Sequence, residues 1–107
     1  MILNVHAGEQ TYSIDVPEHL LNDAEEFFAR MDEDMSRGYQ MSRTWVDSPD
    51  VYMRCQIVAD KLLTALESHN ESLGIMMSAY LLKRMPGIRA VHLNLEGDMT
   101  EHDFDLA

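Results

Sequence analysis

The chain has 107 residues, of which 46% are hydrophobic and 25% charged, and its formal net charge is −11 at pH 7. This length suits one domain with a modest core, and a disordered chain of such acidity would be poorer in large apolar residues. So acidic a surface repels phosphate groups, which disfavours nucleic acids and anionic membranes as partners.

Targeting and redox features favour the cytoplasm. No apolar stretch approaches the roughly 18 to 20 residues of a membrane span, and the N-terminal segment lacks the positive region of a signal peptide. The single cysteine, Cys55, excludes an internal disulfide bond.

The N-terminal segment predicts a β-hairpin. Residues 2–7 and 11–16 alternate apolar and polar side chains, and Gly8-Glu9-Gln10 separates them. One face of this hairpin carries mainly apolar side chains: Leu3, Val5, Ala7, Tyr12, Ile14 and Val16. A hairpin with one apolar face is typical of an antiparallel sheet that helices cover on that side.

A long amphipathic helix is predicted from Pro17 to Val46. Pro17 suits the first position of a helix, and apolar residues recur every three or four positions as far as Trp45. Gly38 offers an alternative end, with a loop from there to Ser48. Because a glycine inside a helix costs only about 1 kcal/mol, we favour the longer helix.

Two further helices and a strand follow. The second helix is predicted over residues 49–69 with Ser48 as its cap, and the third begins after a capping Asn70 and ends before Pro86. Residues 88–95 predict a strand whose Val91, Leu93 and Leu95 face inward. Residues 1–96 then form one globular domain, and residues 97–107 an acidic flexible tail.

This order, ββαααβ, predicts an α+β fold. A small antiparallel sheet, made of the N-terminal hairpin and the C-terminal strand, is covered on one face by three helices.

Two histidines on the outward face of the predicted sheet are candidate metal ligands. If the first and last strands pair antiparallel with Asn4 opposite Asn94, His6 falls opposite His92 at about 5 Å. Imidazole suits zinc, copper or nickel. Without a neighbouring thiol or carboxylate motif, a solvated sheet face explains the pair better, so we expect no cofactor and keep a divalent metal as the alternative.

Other reactive or charged groups fit structural roles. Cys55 lies on an apolar helix stripe and fits the core better than catalysis. The nine methionines fit core packing better than a Cu(I) site. The acidic runs 25–26 and 32–34 lack calcium-loop spacing and indicate a solvated helix face, with mimicry of DNA charge as the alternative. We find no phosphate-binding loop, nucleophile elbow or zinc spacing.

The segment MSRGYQMSRTW, residues 35–45, is the strongest candidate for function. A helix of about 30 residues reaches about 45 Å, beyond a sheet of about 20 Å, so its far end leaves apolar surface for another molecule. The predicted interface residues are Met35, Arg37, Tyr39, Met41, Arg43 and Trp45. The alternative places Trp45 in the core with solvated arginines.

The sequence therefore predicts a small acidic protein that acts through protein–protein association, as a homodimer or as an accessory or regulatory partner, rather than as an enzyme. The alternative is a metal-binding protein or an enzyme that uses His6 and His92.

Overall fold

Two sheets and four α-helices make up residues 1–106, the part of the chain that the structure, a computed structural model, describes. The strands are β1 (Ile2–Ala7), β2 (Gln10–Asp15), β3 (Tyr39–Met41), β4 (Thr44–Val46), β5 (Ile88–Leu93) and β6 (Asp103–Leu106). The helices are α1 (Leu20–Asp23), α2 (Glu25–Ser36), α3 (Val51–Glu67) and α4 (Glu71–Arg84), with a short 3-10 turn at Met99–Glu101. Within residues 1–106 no helix is both long and apolar enough to cross a membrane.

The main sheet has four strands in the order β2-β1-β5-β6. The α+β class is confirmed, and the observed order of elements is roughly the predicted one. The prediction that the sheet is antiparallel throughout is wrong, because β1 and β5 pair in parallel. A parallel neighbour needs a long crossover connection, and the helices between β2 and β5 provide it.

The N-terminal hairpin is confirmed. Leu3 lies opposite Ile14 and Val5 opposite Tyr12, and the side chains of Leu3 and Val5 are fully buried. The turn is one residue shorter than expected, because Gln10 already pairs with Ala7.

The long helix predicted from Pro17 to Val46 is wrong. Helix α2 ends at Ser36, Gly38 has φ +115°, and β3 and β4 then form a small hairpin. A Cβ atom added at Gly38 would overlap Cζ2 of Trp45. Only glycine readily adopts this backbone conformation, and the aromatic and β-branched residues that follow favour strands.

Helices α3 and α4 are confirmed, with a change at one cap. The Asp50 carboxylate, rather than Ser48, accepts a bond from the amide of Met53 at 2.8 Å, and Asn70 caps α4 through the amide of Leu73 at 3.1 Å. Both side chains satisfy amide groups that have no partner within the helix.

The segment predicted as a flexible tail belongs to the fold. Strand β6 pairs with β5, and its Phe104 is only 8% exposed. His102 is buried, where its Nδ1 accepts from the Asn94 amide at 2.8 Å and its Nε2 lies 3.1 Å from the Asp60 carboxylate. The domain therefore extends through residue 106. Leu95, expected to face inward, lies beyond the end of β5 and is 53% exposed.

A charged network joins α2, α3 and α4. Asp32 accepts bonds from Nε of Arg84 at 2.8 Å and from the Tyr80 hydroxyl, and Nε of Arg54 lies 3.4 Å away. Glu25 accepts a second bond from Arg84 at 2.9 Å, and this bond, helped by Asp32, raises the pKa of Arg84. The prediction of a fully solvated acidic face is therefore wrong for Asp32, whose side chain is 23% exposed.

Candidate partner-binding groove along strand β2

Strand β2 is an edge of the main sheet, with β1 as its single neighbour within residues 1–106. The amide of Val16 donates to the carbonyl of Met1 at 2.7 Å, so the alternation of an antiparallel ladder turns the backbone groups of Thr11, Ser13 and Asp15 away from β1. No other element among the described residues bonds to these groups. Each of the three residues therefore offers a free N–H and a free C=O at the sheet edge.

A groove runs beside this edge. At one end it opens into a cavity of about 500 Å³ between β2 and the junction of α3 with α4. A second cavity of about 450 Å³ adjoins it towards the Gly8-Glu9 turn and shares Tyr12 and Leu66 with the first. Together the two cavities contact every residue of β2 except Thr11, and the second is also lined by Ala7 of β1 and by Leu95 beyond β5.

The floor of the groove is apolar. The half-buried side chains that line it are Tyr12, Ile14, Leu63, Leu66 and Ile75. Because side chains alternate along a strand, an extended chain paired with β2 would turn every second side chain onto this floor. The groove thus combines main-chain hydrogen-bonding groups with pockets for alternate side chains, the two elements of recognition by strand addition.

The segment 35–45 does not form the continuous interface that the sequence predicted. Met35 and Met41 are 3% and 1% exposed and pack in the core, because the bend at Gly38 folds the β3–β4 hairpin back onto the helices. Tyr39 is half-buried, with Nζ of Lys61 5.8 Å from its ring centroid. These three side chains therefore stabilise the domain itself.

The polar and aromatic remainder of that segment lies at the surface. Trp45 is 57% exposed and its indole N–H donates to Asp47 at 2.7 Å. Arg37 pairs with Glu33 on the same helix at 2.9 Å, and Arg43 is exposed at the turn between β3 and β4. Of the six predicted interface residues, Trp45 is the one large apolar side chain that is exposed.

His6 and His92 meet, although by a different pairing from the one expected. They lie opposite each other in the parallel register of β1 and β5, and Asn4 faces Ala90 rather than Asn94. Their rings stack with centroids 4.8 Å apart and planes 11° from parallel. The nitrogen lone pairs of each ring lie in its own plane, so two stacked rings do not converge on one ion.

Neighbouring groups already engage these rings. His6 Nδ1 lies 3.2 Å from the Thr11 hydroxyl, and His92 Nε2 lies 2.7 Å from the Asp105 carboxylate. In the described chain, no group of three or more His, Cys, Asp or Glu side chains could hold a metal ion. Metal binding by the pair would therefore require one ring to leave the stack.

Cys55 is fully buried in the core of the domain. Burial raises the pKa of its thiol to about 12. A nucleophilic cysteine needs an accessible, electropositive setting that lowers the pKa, so this geometry favours the packing role predicted from the sequence.

Comparison with known proteins gives no relative: no family model, curated protein or solved structure matches the chain. The geometry of the site is therefore the sole basis for the function proposed below.

No binding role was predicted for the groove residues from the sequence. The sequence does contain part of the signal for this groove, because an N-terminal hairpin with alternating side chains often forms the edge of a sheet. The position of the α3–α4 junction beside β2, however, depends on tertiary packing that no local pattern encodes.

Proposed function

We propose that this protein acts through protein–protein association and that the groove along β2 receives an extended segment of its partner as an added strand. The observation that carries the proposal is the open edge at Thr11, Ser13 and Asp15, beside an apolar groove. The proposed partner is a protein, not a nucleic acid or a membrane, and the proposed location is the cytoplasm.

Energetics support strand addition at this edge. Each main-chain hydrogen bond contributes a net of about 0.5 to 1.5 kcal/mol, and the free groups of three residues can engage an added strand. Side chains that enter the groove add about 25 cal/mol per Å² of apolar surface removed from water. These terms oppose the loss of freedom when the segment becomes ordered, which keeps such contacts moderate and reversible.

A defined probe tests the proposal directly. Strand β2 has six residues and spans about 20 Å, so a capped heptapeptide covers it. Two such peptides, one alternating Lys with Val and one alternating Thr with Val, are titrated into the protein with NMR detection. We expect shifts along β2 and at the α3–α4 junction.

Two controls separate strand addition from simple hydrophobic contact. Methylating the peptide nitrogens that face β2 removes donors but keeps every side chain, and we expect at least a tenfold loss of affinity. In the protein, Ser13→Pro removes an outward N–H but no backbone bond to β1. It also removes the bond that the Ser13 hydroxyl donates to Asn4 at 3.2 Å, so Ser13→Ala, which loses that hydroxyl but keeps the outward N–H, is the matched control. Equal binding by the methylated and unmethylated peptides would contradict strand addition even if the Ser13→Pro variant failed to fold.

A further inference from the structure

The groove along β2 has an uneven charge. The residues that line its two cavities include four carboxylates: Asp15, Glu9, Glu67 and Glu71. None of the eight Lys and Arg residues of the chain lines either cavity. Asp15 lies 3.7 Å from the amino group of Met1, and His69 also lines the first cavity.

The four carboxylates surround the groove rather than cluster at one point. Asp15 ends β2 on the outward face of the sheet, and its side chain is 84% exposed. Glu67 and Glu71 lie across the groove, at the end of α3 and the start of α4. Glu9 lies in the turn that precedes β2. An extended segment in the groove therefore has carboxylates near both of its ends and on the side of the groove opposite β2.

Resting on the strand-addition function proposed above, we infer that the occupant is a basic, extended protein segment in which Lys or Arg alternates with medium-sized apolar residues. The apolar side chains face the floor formed by Tyr12, Leu66 and Ile75. The long basic side chains extend along the solvent side and reach the carboxylates with their flexible stems. Charge complementarity of this kind sets partner choice and the rate of association.

The net charge of the whole chain favours the same partner but cannot by itself place it in the groove. A protein with a net charge of −11 attracts any cationic peptide at low salt. The inference is more specific, since it assigns the attraction to the carboxylates that line the groove.

The test compares the lysine and threonine heptapeptides on the full chain and two charge-matched variants. One variant is Glu67→Gln/Glu71→Gln in the groove, and the other is Glu26→Gln/Asp34→Asn on the exposed side of α2. We expect the lysine peptide to bind at least tenfold tighter than the threonine peptide at low salt. This advantage should fall several-fold in the groove variant but not in the α2 variant, and it should shrink at high salt.

The outcomes distinguish the inference from the function on which it rests. Equal affinity of the two peptides at β2 overturns the basic partner but leaves strand addition in place. An equal loss of lysine-peptide affinity in both variants assigns the attraction to overall charge and also overturns the inference. If neither peptide binds, both proposals fall. A dimer seen by sedimentation and abolished by Ser13→Pro would identify a second copy as the occupant and overturn the basic segment.

Discussion

Replacing Gly38 by Ala tests whether the chain leaves helix α2 at this position and turns into the β3–β4 hairpin. In a helix that ran through position 38, alanine would stabilise the protein by about 1 kcal/mol. In the structure, Gly38 has φ +115°, which costs a residue with a Cβ about 1 to 3 kcal/mol. The new Cβ would also overlap the Trp45 indole. The two descriptions thus predict opposite signs.

The size of the expected destabilisation depends on the contacts that Trp45 loses when it moves away from the new Cβ. Its ring is 57% exposed and can swing away, but it then loses the hydrogen bond to Asp47, worth about 0.5 to 1.5 kcal/mol. We therefore expect Gly38→Ala to lower the free energy of unfolding by about 2 to 4 kcal/mol. Urea titration followed by far-UV circular dichroism measures this value without relying on tryptophan fluorescence.

A double-mutant cycle separates backbone strain from the contact. In a Trp45→Ala background the overlap is absent, so Gly38→Ala should cost about 0.5 to 1.5 kcal/mol less than in the natural chain. An identical cost in both backgrounds would refute the contact argument. A gain in stability would refute the hairpin itself.

Three further changes probe the helices and the core. Gly74→Ala should stabilise the protein by about 0.5 to 1 kcal/mol, because its Cβ meets the nearest side chains at 4.0 Å; a lower melting temperature would contradict this. Asp32→Asn should cost about 2 to 4 kcal/mol, since it leaves Arg54 and Arg84, each 17% exposed, without their shared carboxylate. The matched change Glu33→Gln, in an exposed pair, should cost under about 0.5 kcal/mol, and similar losses in the two variants would refute the network. Burial raises the pKa of Cys55 from 9.0 to about 12, so the unfolded state loses this proton first and stability should fall as the pH rises above 9, by up to about 1.4 kcal/mol per pH unit. Urea titrations at pH 8 to 11 should show a shallower decline for Cys55→Ala, and parallel curves would contradict the assignment.

Local patterns were sufficient to predict the elements with strong signals of their own. The alternation of residues 2–7 and the apolar stripe of α3 both placed the correct side chains in the core, including Leu3, Val5 and Cys55. The Asn70 cap was also predicted correctly, because the hydrogen bond that forms it joins residues only three positions apart.

The errors arose where one residue or one long-range contact decided the structure. The apolar spacing of residues 35–46 fits a helix as well as a short hairpin, and the positive φ of Gly38 decided between them. The C-terminal strand was not predicted, because the segment around it is acidic and contains only two buried side chains, Phe104 in the strand and His102 just before it. His102 is held by Asp60, which is 42 positions away in the chain.

The sequence correctly predicted that His6 and His92 lie close together, but it predicted the wrong strand direction for the pairing. An antiparallel register would have placed Asn4 beside Asn94, whereas the parallel register places it beside Ala90 and still aligns His6 with His92. Short patterns contain no information about strand direction, which the crossover through the helices sets.

The most direct test of the proposed function is amide hydrogen exchange along β2 in the presence of the lysine heptapeptide. We expect the outward amides of Thr11, Ser13 and Asp15 to exchange at least tenfold more slowly when the peptide is bound, while those of Tyr12 and Ile14, which face β1, change little. Protection confined to the Trp45 hairpin, or no added protection anywhere in β2, would contradict the account.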